Sequence, residues 1–452
     1  MNSHTDTVRN VVVGLGMTGL SVARFLARRG QSVAVVDSRS APPALGDLRA
    51  ELPAVEVNLG PFTAGAFADA DRLIVSPGVA TAHPAIQAAA QRGAEVIGDI
   101  ELFAREAQAP IIAITGSNGK STVTTLVGQM AAADGREVRV GGNLGTPALD
   151  LLANNEPDLY VLELSSFQLE TTRSLNASAA AVLNISEDHM DRYDSLAAYS
   201  AAKQRIFRYG PGRKPGFMVL NADDPAVAAM AEPGRAVIAF SLGSPRAGVD
   251  YGCRVVGDET WLCRGSERLI AAGELKLFGS HNRANALAAL ALAECVGIDR
   301  TVALDVLRAF EGLPHRMQWV AEHCGVAYFN DSKGTNVGAT AAAVHGLDRP
   351  AVLILGGQGK GADFTALRPL IAGKARAIVL IGEDADRIEQ ALRGATAIYR
   401  ADGLGQAVRL AAQQAQSGDC VVLSPACASQ DMFRDYRHRG DVFVSLVQGL
   451  AT

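Results

Sequence analysis

The chain has 452 residues, enough for two to four domains at roughly 100 to 200 residues each, so a single small binding module is excluded. Apolar residues make up 48% and charged residues 20%, which supplies material for several buried cores. Forty-two Lys and Arg against 47 Asp and Glu leave a net charge of -5, which argues against partners recognised through nucleic-acid phosphates or an anionic membrane surface.

The six cysteines, Cys253, Cys263, Cys295, Cys324, Cys420 and Cys427, include no C-x-x-C pair, so neither a zinc site nor a disulfide framework is expected and a reducing compartment fits. Met1 to Asn10 is polar, and no stretch approaches the roughly 18 apolar residues of a spanning helix; a cytoplasmic protein without membrane segments is the expectation.

In chain order, β-branched runs, glycine-rich turns and alanine-rich helical stretches alternate, the pattern of β-α units around mostly parallel sheets. Val11–Val13 leads into Gly14-Leu15-Gly16-Met17-Thr18-Gly19 and a helix from about Leu20 to Arg29, and a second strand ends at Asp37. A further strand, Arg72 to Val75, ends in Ser76-Pro77-Gly78. The second unit opens with Ile111–Ile114, turns at Thr115–Thr122 and continues as a helix to about Ala133; Leu159 to Leu164 and Ala180 to Ile185 are strands of its sheet. Val249 to Leu277 alternates and reads as an antiparallel appendage. The third set has strands at Ala351 to Leu355, Ala377 to Ile381 and Cys420 to Leu423. Breaks near Gly98 and Gly312-Leu313-Pro314 divide the chain into three α/β domains, 1–98, 99–312 and 313–452.

The strongest local signal is Gly116-Ser117-Asn118-Gly119-Lys120-Ser121-Thr122 between an apolar strand and a helix. Backbone N–H groups and the positive helix end can enclose phosphate oxygens there; Lys120 would sit on the β and γ phosphates, and the Ser121 or Thr122 hydroxyl would face a magnesium ion. The usual G-x-x-x-x-G-K-[ST] spacing is not met, because Ile114 stands five residues before Gly119, so this is a shortened variant. A nucleoside triphosphate site also needs an acid at a neighbouring strand end; Glu163 follows Leu159–Leu162 and is the expected metal ligand.

Glu187-Asp188-His189-Met190-Asp191-Arg192-Tyr193 gathers charge at a strand end, where His189 reads as a general base, a ligand or a hydrogen-bonded loop residue. Gly14-x-Gly16-x-x-Gly19 with Asp37 reads by spacing as a dinucleotide site, although such turns also hold other nucleotides. A dinucleotide oxidoreductase leaves Lys120 and Glu163 idle. Late in the chain, Pro314-His315-Arg316-Met317, Asn330–Asn336, Gly356–Gly361 and Ser424–Ser429 each sit after a strand or at a domain join. Arg316 and Lys333 suit a transferring phosphoryl group, and Lys360 suits a carboxylate. Cys427 has no His nearby in sequence and reads as a buried inert thiol.

Together these motifs resemble the Mur ligases, through GDIELF from Gly98, TGSNGKST from Thr115, GGNLGTP from Gly141, LELSSFQLE from Leu162, EDHMDRY from Glu187, HNRANALAAL from His281, GLPHR from Gly312, NDSKGTN from Asn330 and SPACAS from Ser424. LELSSFQLE and SPACAS point within the family to the member that adds D-glutamate to UDP-N-acetylmuramoyl-L-alanine. The resemblance implies a Rossmann-like first domain, a central P-loop ATPase-type domain and a Rossmann-like carboxyl domain. It implies that the UDP-substrate, not NAD, contacts Met17, Thr18, Asp37, Ser38, Arg39, Gly78 and Asn143. ATP is expected at Gly116 to Thr122 with Asn282, Asn285, Arg316 and Asp331, and D-glutamate at Thr335, Lys360, Ser429 and Tyr436. Two magnesium ions are expected at Ser121, Glu163, His189 and Lys203, the last carbamylated, and Lys120, His189, Lys203, Arg316 and Lys333 are the implied catalytic set. The implied enzyme is a monomer acting on small molecules.

Overall fold

The computed structural model describes residues 8–152, 155–186, 188–190, 192–277, 279–347, 349–359 and 361–451. The first sheet is built from β1 (Asn10–Val13), β2 (Val33–Asp37), β3 (Glu56–Leu59), β4 (Arg72–Val75) and β5 (Glu95–Ile97), ordered β3-β2-β1-β4-β5 and parallel throughout. Every residue of β1 is buried, as expected for a parallel strand covered on both faces. The helix Met17–Arg28 packs close to the end of β1 because Gly19 has no side chain; a Cβ there would stand 2.0 Å from the Gly14 carbonyl oxygen.

The central sheet contains β6 (Ile111–Thr115), β7 (Val138–Gly142), β8 (Leu159–Glu163), β9 (Ala179–Val182), β10 (Phe217–Asn221) and β11 (Val237–Phe240). These six run parallel in the order β11-β10-β9-β6-β8-β7. The helix Lys120–Ala133 follows β6, with Val123, Leu126, Val127 and Met130 buried. β9 stops at Val182, short of the expected Ile185, because Asn184 and Ser186 leave the sheet to bond the loop after β6. The expected appendage appears as β12 (Tyr251–Val256), β13 (Glu259–Arg264) and β14 (Glu267–Ala271), neighbours in sequence order.

The last sheet comprises β15 (Gln318–His323), β16 (Val326–Asn330), β17 (Ala351–Gly356), β18 (Ala375–Ile381), β19 (Ala397–Arg400) and β20 (Cys420–Leu423), ordered β15-β16-β20-β17-β18-β19. β15 is antiparallel to β16 and the other pairings are parallel.

By packing, the chain divides into two compact units. The first takes in the chain up to Gly252 with Arg264–Ser266 and Leu287–Val306; the second takes in Cys253–Cys263, Glu267–Ala286 and the chain from Leu307. Among the described residues no helix is long and apolar enough to cross a membrane.

Candidate active site

All seven residues expected at the UDP-substrate line one cleft of about 540 Å³ in the first unit: Met17, Thr18, Asp37, Ser38, Arg39, Gly78 and Asn143. It lies at the carboxyl ends of β1, β2 and β4, where doubly wound sheets bind ligands. Asp37 at the tip of β2 is 1% exposed. Its carboxylate accepts from the Leu15 N–H at 2.6 Å, and from Arg39 through the backbone N–H at 2.8 Å, Nε at 2.9 Å and Nη2 at 2.7 Å. Burial alone raises the Asp37 carboxyl, but the Arg39 and Leu15 donors outweigh it and hold it at about 2. Asp37 therefore fixes Arg39 as a half-exposed cation at the cleft edge.

The loop Gly116–Gly119 joins β6 to its helix, and Gly119 caps that helix with φ 84°, a left-handed conformation that favours glycine. The segment after β9 splints this loop. The Ser117 N–H donates to the Asn184 carbonyl at 2.9 Å, the Asn118 N–H to Asn184 Oδ1 at 2.8 Å and the Ser186 N–H to Ser117 Oγ at 2.9 Å. Lys120 Nζ donates to the carbonyls of Gly116 at 2.8 Å and Ser117 at 2.9 Å. Ser121 and Thr122 lie buried in the first helical turn.

Glu163 ends β8, paired with Ile114 of β6 and with Gly142 of β7. Its Oε1 accepts from Asn143 Nδ2 at 2.7 Å, while the buried Oε2 has no hydrogen-bond partner among the described residues. A buried carboxylate oxygen left bare is costly unless something occupies it, and a hard cation with oxygen ligands fits. Lys203 is 1% exposed on the helix Leu196–Gln204; its Nζ donates to the Gly116 carbonyl at 2.9 Å and lies 4.6 Å from the Tyr199 ring centre. Desolvation, then the nearby Lys120 charge, lowers its pKa well below the usual lysine value. Burial thus favours the neutral form of this amine. His189 adopts φ 57°, with its ring 4.7 Å from Phe167 and Nε2 3.6 Å from Asp188 Oδ2. Among the described residues no group of three or more His, Cys, Asp or Glu could by itself hold a metal ion. A magnesium bound mostly by phosphate and water, with one or two protein oxygens, needs no such group.

In the second unit, the loops after β16 and β20, adjacent in the sheet, carry Asp331, Lys333, Thr335 and Ser429, while Arg316 precedes β15, Asn282 and Asn285 lie on the helix Ser280–Cys295, and Tyr436 begins the helix Tyr436–Gln448. Asp331 follows β16 and is 8% exposed, accepting from Ser424 Oγ at 2.7 Å and from the Met317 N–H at 3.2 Å. Burial pushes its carboxyl up to about 7. Arg316 sits between His315 (φ 63°) and Met317 (φ 44°), a turn costly for non-glycine residues and typical of functional loops. Lys333 Nζ stands 4.1 Å over the Tyr436 ring. Thr335 lies just before the Asn336 cap of the helix Val337–His345. Ser429, 2% exposed, directly follows Ala428, whose backbone exchanges hydrogen bonds of 3.0 and 2.9 Å with Gln358. Asn282 and Asn285, each 6% exposed, are joined by a 3.1 Å amide hydrogen bond. Lys360, Glu187 and Asp191 lie outside the described residues. Burial raises the Cys427 thiol to about 12, in keeping with an inert role.

Sequence reasoning passed over several residues. Gln168 lines the cleft, closes a capping box with Ser165 and donates to buried Asp99 at 3.2 Å; the S-x-x-Q spacing at Ser165 was the available signal. Tyr199, four residues before Lys203 on one helix, reaches Ser117 Oγ at 3.3 Å. Arg439, 1% exposed, donates to the Ser332 carbonyl at 2.9 Å and to the Cys427 carbonyl at 3.2 Å, tying two candidate loops together. No motif marked it.

A Gly-rich loop between a strand and a helix, an acid at the neighbouring strand end and a cleft beside them make up an arrangement found in α/β nucleotide-dependent enzymes. The chain belongs to the Mur ligase family. Family models described as Mur ligase MurD-like, N-terminal domain, Mur ligase middle domain, and Mur ligase, glutamate ligase domain match residues 8–98, 114–293 and 315–427. The chain is 55% identical over 441 residues to UDP-N-acetylmuramoylalanine--D-glutamate ligase of Nitrosococcus oceani, covering 97% of this chain and 96% of that one. It is 54% identical over 443 residues to the protein of the same description from Methylobacillus flagellatus, with 97% and 96% covered. Among solved structures it resembles a pseudomurein peptide ligase type C from Methanothermus fervidus, with TM-score 0.60 and 18% identity, covering 98% of this chain and all of that one. It also resembles a UDP-N-acetylmuramate-alanine ligase from Thermotoga maritima, with TM-score 0.58 and 19% identity, covering 98% and 99%. These two likenesses show the fold.

Proposed function

We propose that this protein is the ATP-dependent ligase that joins D-glutamate to UDP-N-acetylmuramoyl-L-alanine in the synthesis of peptidoglycan precursors. The observation that carries the reading is Asn143, which lines the nucleotide cleft and bonds Glu163, the acid beside the phosphate loop. A substrate lying in that cleft thus extends toward the place where a triphosphate ends. The work divides among residues 1–98 for the UDP-substrate, 99–312 for ATP and 313–452 for the amino acid, in a cytoplasmic monomer.

A carboxylate is a poor acyl donor at neutral pH, so it is first phosphorylated. The terminal L-alanyl carboxylate attacks the γ-phosphorus, ADP leaves, and an acyl phosphate forms. The amine of D-glutamate then attacks the activated carbonyl, loses a proton and expels phosphate. Lys120 stabilises charge on the phosphoryl oxygens, and Gly116–Thr122 with Asn282, Asn285, Arg316 and Asp331 hold the nucleotide. Magnesium supplies charge neutralisation at the phosphates; Ser121, Glu163, His189 and Lys203 as its carbamate are the groups that would hold two ions. Lys333 and Arg316 are assigned to the phosphoryl charge, and Thr335, Lys360, Ser429 and Tyr436 to D-glutamate.

The test is phosphate release from ATP by purified protein given UDP-N-acetylmuramoyl-L-alanine and, separately, D-glutamate, L-glutamate, L-lysine or D-alanyl-D-alanine. Release that requires D-glutamate is the expected result. Release with another amino acid in its place, or none at all, refutes the assignment.

A further inference from the structure

Arg192, in the segment after β9, takes no part in the chemistry above, yet its side chain is 16% exposed and makes three hydrogen bonds through its two terminal nitrogens. Nη1 donates to the Pro77 carbonyl at 3.3 Å and Nη2 to the Val79 carbonyl at 3.3 Å. Those carbonyls flank Gly78 in the turn after β4, and Pro77, Gly78 and Val79 all line the nucleotide cleft. The guanidinium is held from behind: Nη2 also donates to Glu170 Oε2 at 2.7 Å, and its carbon lies 4.4 Å over the Phe167 ring. Glu170 is fixed by a second bond, from Tyr193 Oη at 2.6 Å to Oε1. The same Phe167 ring supports His189 at 4.7 Å. One planar cation therefore spans a cleft wall of the first sheet and the segment that carries His189.

We propose that Arg192 is a positioning residue for the UDP-substrate: clamped by Glu170 and Phe167, it fixes the Pro77–Val79 turn in the shape that receives the nucleotide. The two carbonyls and Glu170 are met from two nitrogens of one rigid planar fork, a spread that arginine matches and that a lysine, with its three donors on a single shorter-reaching nitrogen, does not reproduce. Because the contact is made to backbone, it orients the Gly78 peptide without touching the ligand. Small displacements of a binding wall cost affinity even when every contact residue is retained. The inference rests on the cleft being the UDP-substrate site.

The experiment is calorimetric titration of wild type, Arg192→Lys and Glu170→Gln with UDP-N-acetylmuramoyl-L-alanine, and separately with ATP and magnesium, alongside thermal melting. The expected result is a Kd for the UDP-substrate raised about ten-fold in Arg192→Lys and less in Glu170→Gln, with ATP affinity within two-fold of wild type. The double variant should bind no more weakly than the weaker single one, since both act through one clamp. Unchanged UDP-substrate affinity in both variants overturns the proposal, as does an equal loss of both ligands with a lowered melting temperature. If Arg192→Lys does not fold, Glu170→Gln alone decides by the same split. Wild type failing to bind the UDP-substrate would instead sink the function proposed above.

Discussion

Replacing Lys120 with Met tests the phosphate loop most directly, because the side chain keeps its length and loses only the charged end. Two effects follow from its contacts. Nζ donates to the Gly116 carbonyl at 2.8 Å and the Ser117 carbonyl at 2.9 Å. Losing two such bonds at a part-buried site, where water replaces some of them, costs about 1–2 kcal/mol of stability. Charge stabilisation at the transferring group is worth about 3 kcal/mol, so kcat for phosphate release should fall roughly one hundred- to one thousand-fold. A third effect is less direct. The Lys120 charge helps hold the Lys203 amine below its usual pKa, after desolvation, so its removal moves that amine back toward the cationic form. UDP-substrate affinity should stay within two-fold by calorimetry, since Asp37, Arg39 and Gly78 are untouched. Turnover within five-fold of wild type would refute the assignment of Lys120 to the phosphoryl group.

Asp37→Asn should lose about 1–2 kcal/mol at pH 7, discounted for the half-exposed Arg39 partner, and weaken UDP-substrate binding. Because the folded carboxyl titrates at about 2, below the unfolded 3.8, its contribution is present above pH 4 and fades as pH falls toward 2. Urea unfolding should therefore show the two proteins converging in acid; a pH-independent gap contradicts the ion-pair account. Asn143→Ala removes the 2.7 Å bond to Glu163 and a wall of the cleft. It should raise the Km for both magnesium and UDP-substrate several-fold, and a change in only one argues that the two sites do not share this residue. Asp331 has the opposite sign to Asp37. Burial raises it to about 7 against 3.8 unfolded, so folding is penalised progressively from pH 4 to 7 and fully above. Asp331→Asn should accordingly melt higher relative to wild type at pH 8 than at pH 5, while losing activity at both; the reverse order would show that the carboxylate is compensated by charge.

The parts of the site that are local in sequence were legible there. The phosphate loop is a strand, a turn and a helix in immediate succession, so Gly116 to Thr122 declare themselves by chemistry and context. The glycine fingerprint and Asp37 were equally visible as a candidate nucleotide site, whose residues line one cleft, but spacing could not separate NAD from a uridine nucleotide. That distinction depends on what stands across the cleft, where Asn143 follows β7 and Gln168 lies on the helix Ser166–Glu170. Lys203 shows the limit most clearly. On its helix it reads as one more surface lysine, and only packing of Tyr199 against Ser117 buries it beside the loop. Only the resemblance to a family singled it out. Arg439 was unmarked, and Arg192, though inside the quoted run from Glu187 to Tyr193, gave no sign of its role, since they act on backbone carbonyls 115 (Arg192) and 107 (Arg439) residues away, where no spacing rule applies.

Parallel strand order explains why these distant residues meet. β8 and β9 flank β6, so whatever follows them must stand on either side of the phosphate loop. After β8 comes Glu163, whose orphaned oxygen invites a cation; after β9 come Asn184 and Ser186, which splint the loop, and then His189 and Arg192. In the proposed function one strand end would offer charge to the nucleotide, while the other sets the shape of the loop and, through Arg192, of the neighbouring cleft. Glu163 and Arg192 thus act on different ligands, so substitution of Arg192 should disturb binding of the UDP-substrate more than metal affinity, and Glu163→Gln should do the reverse.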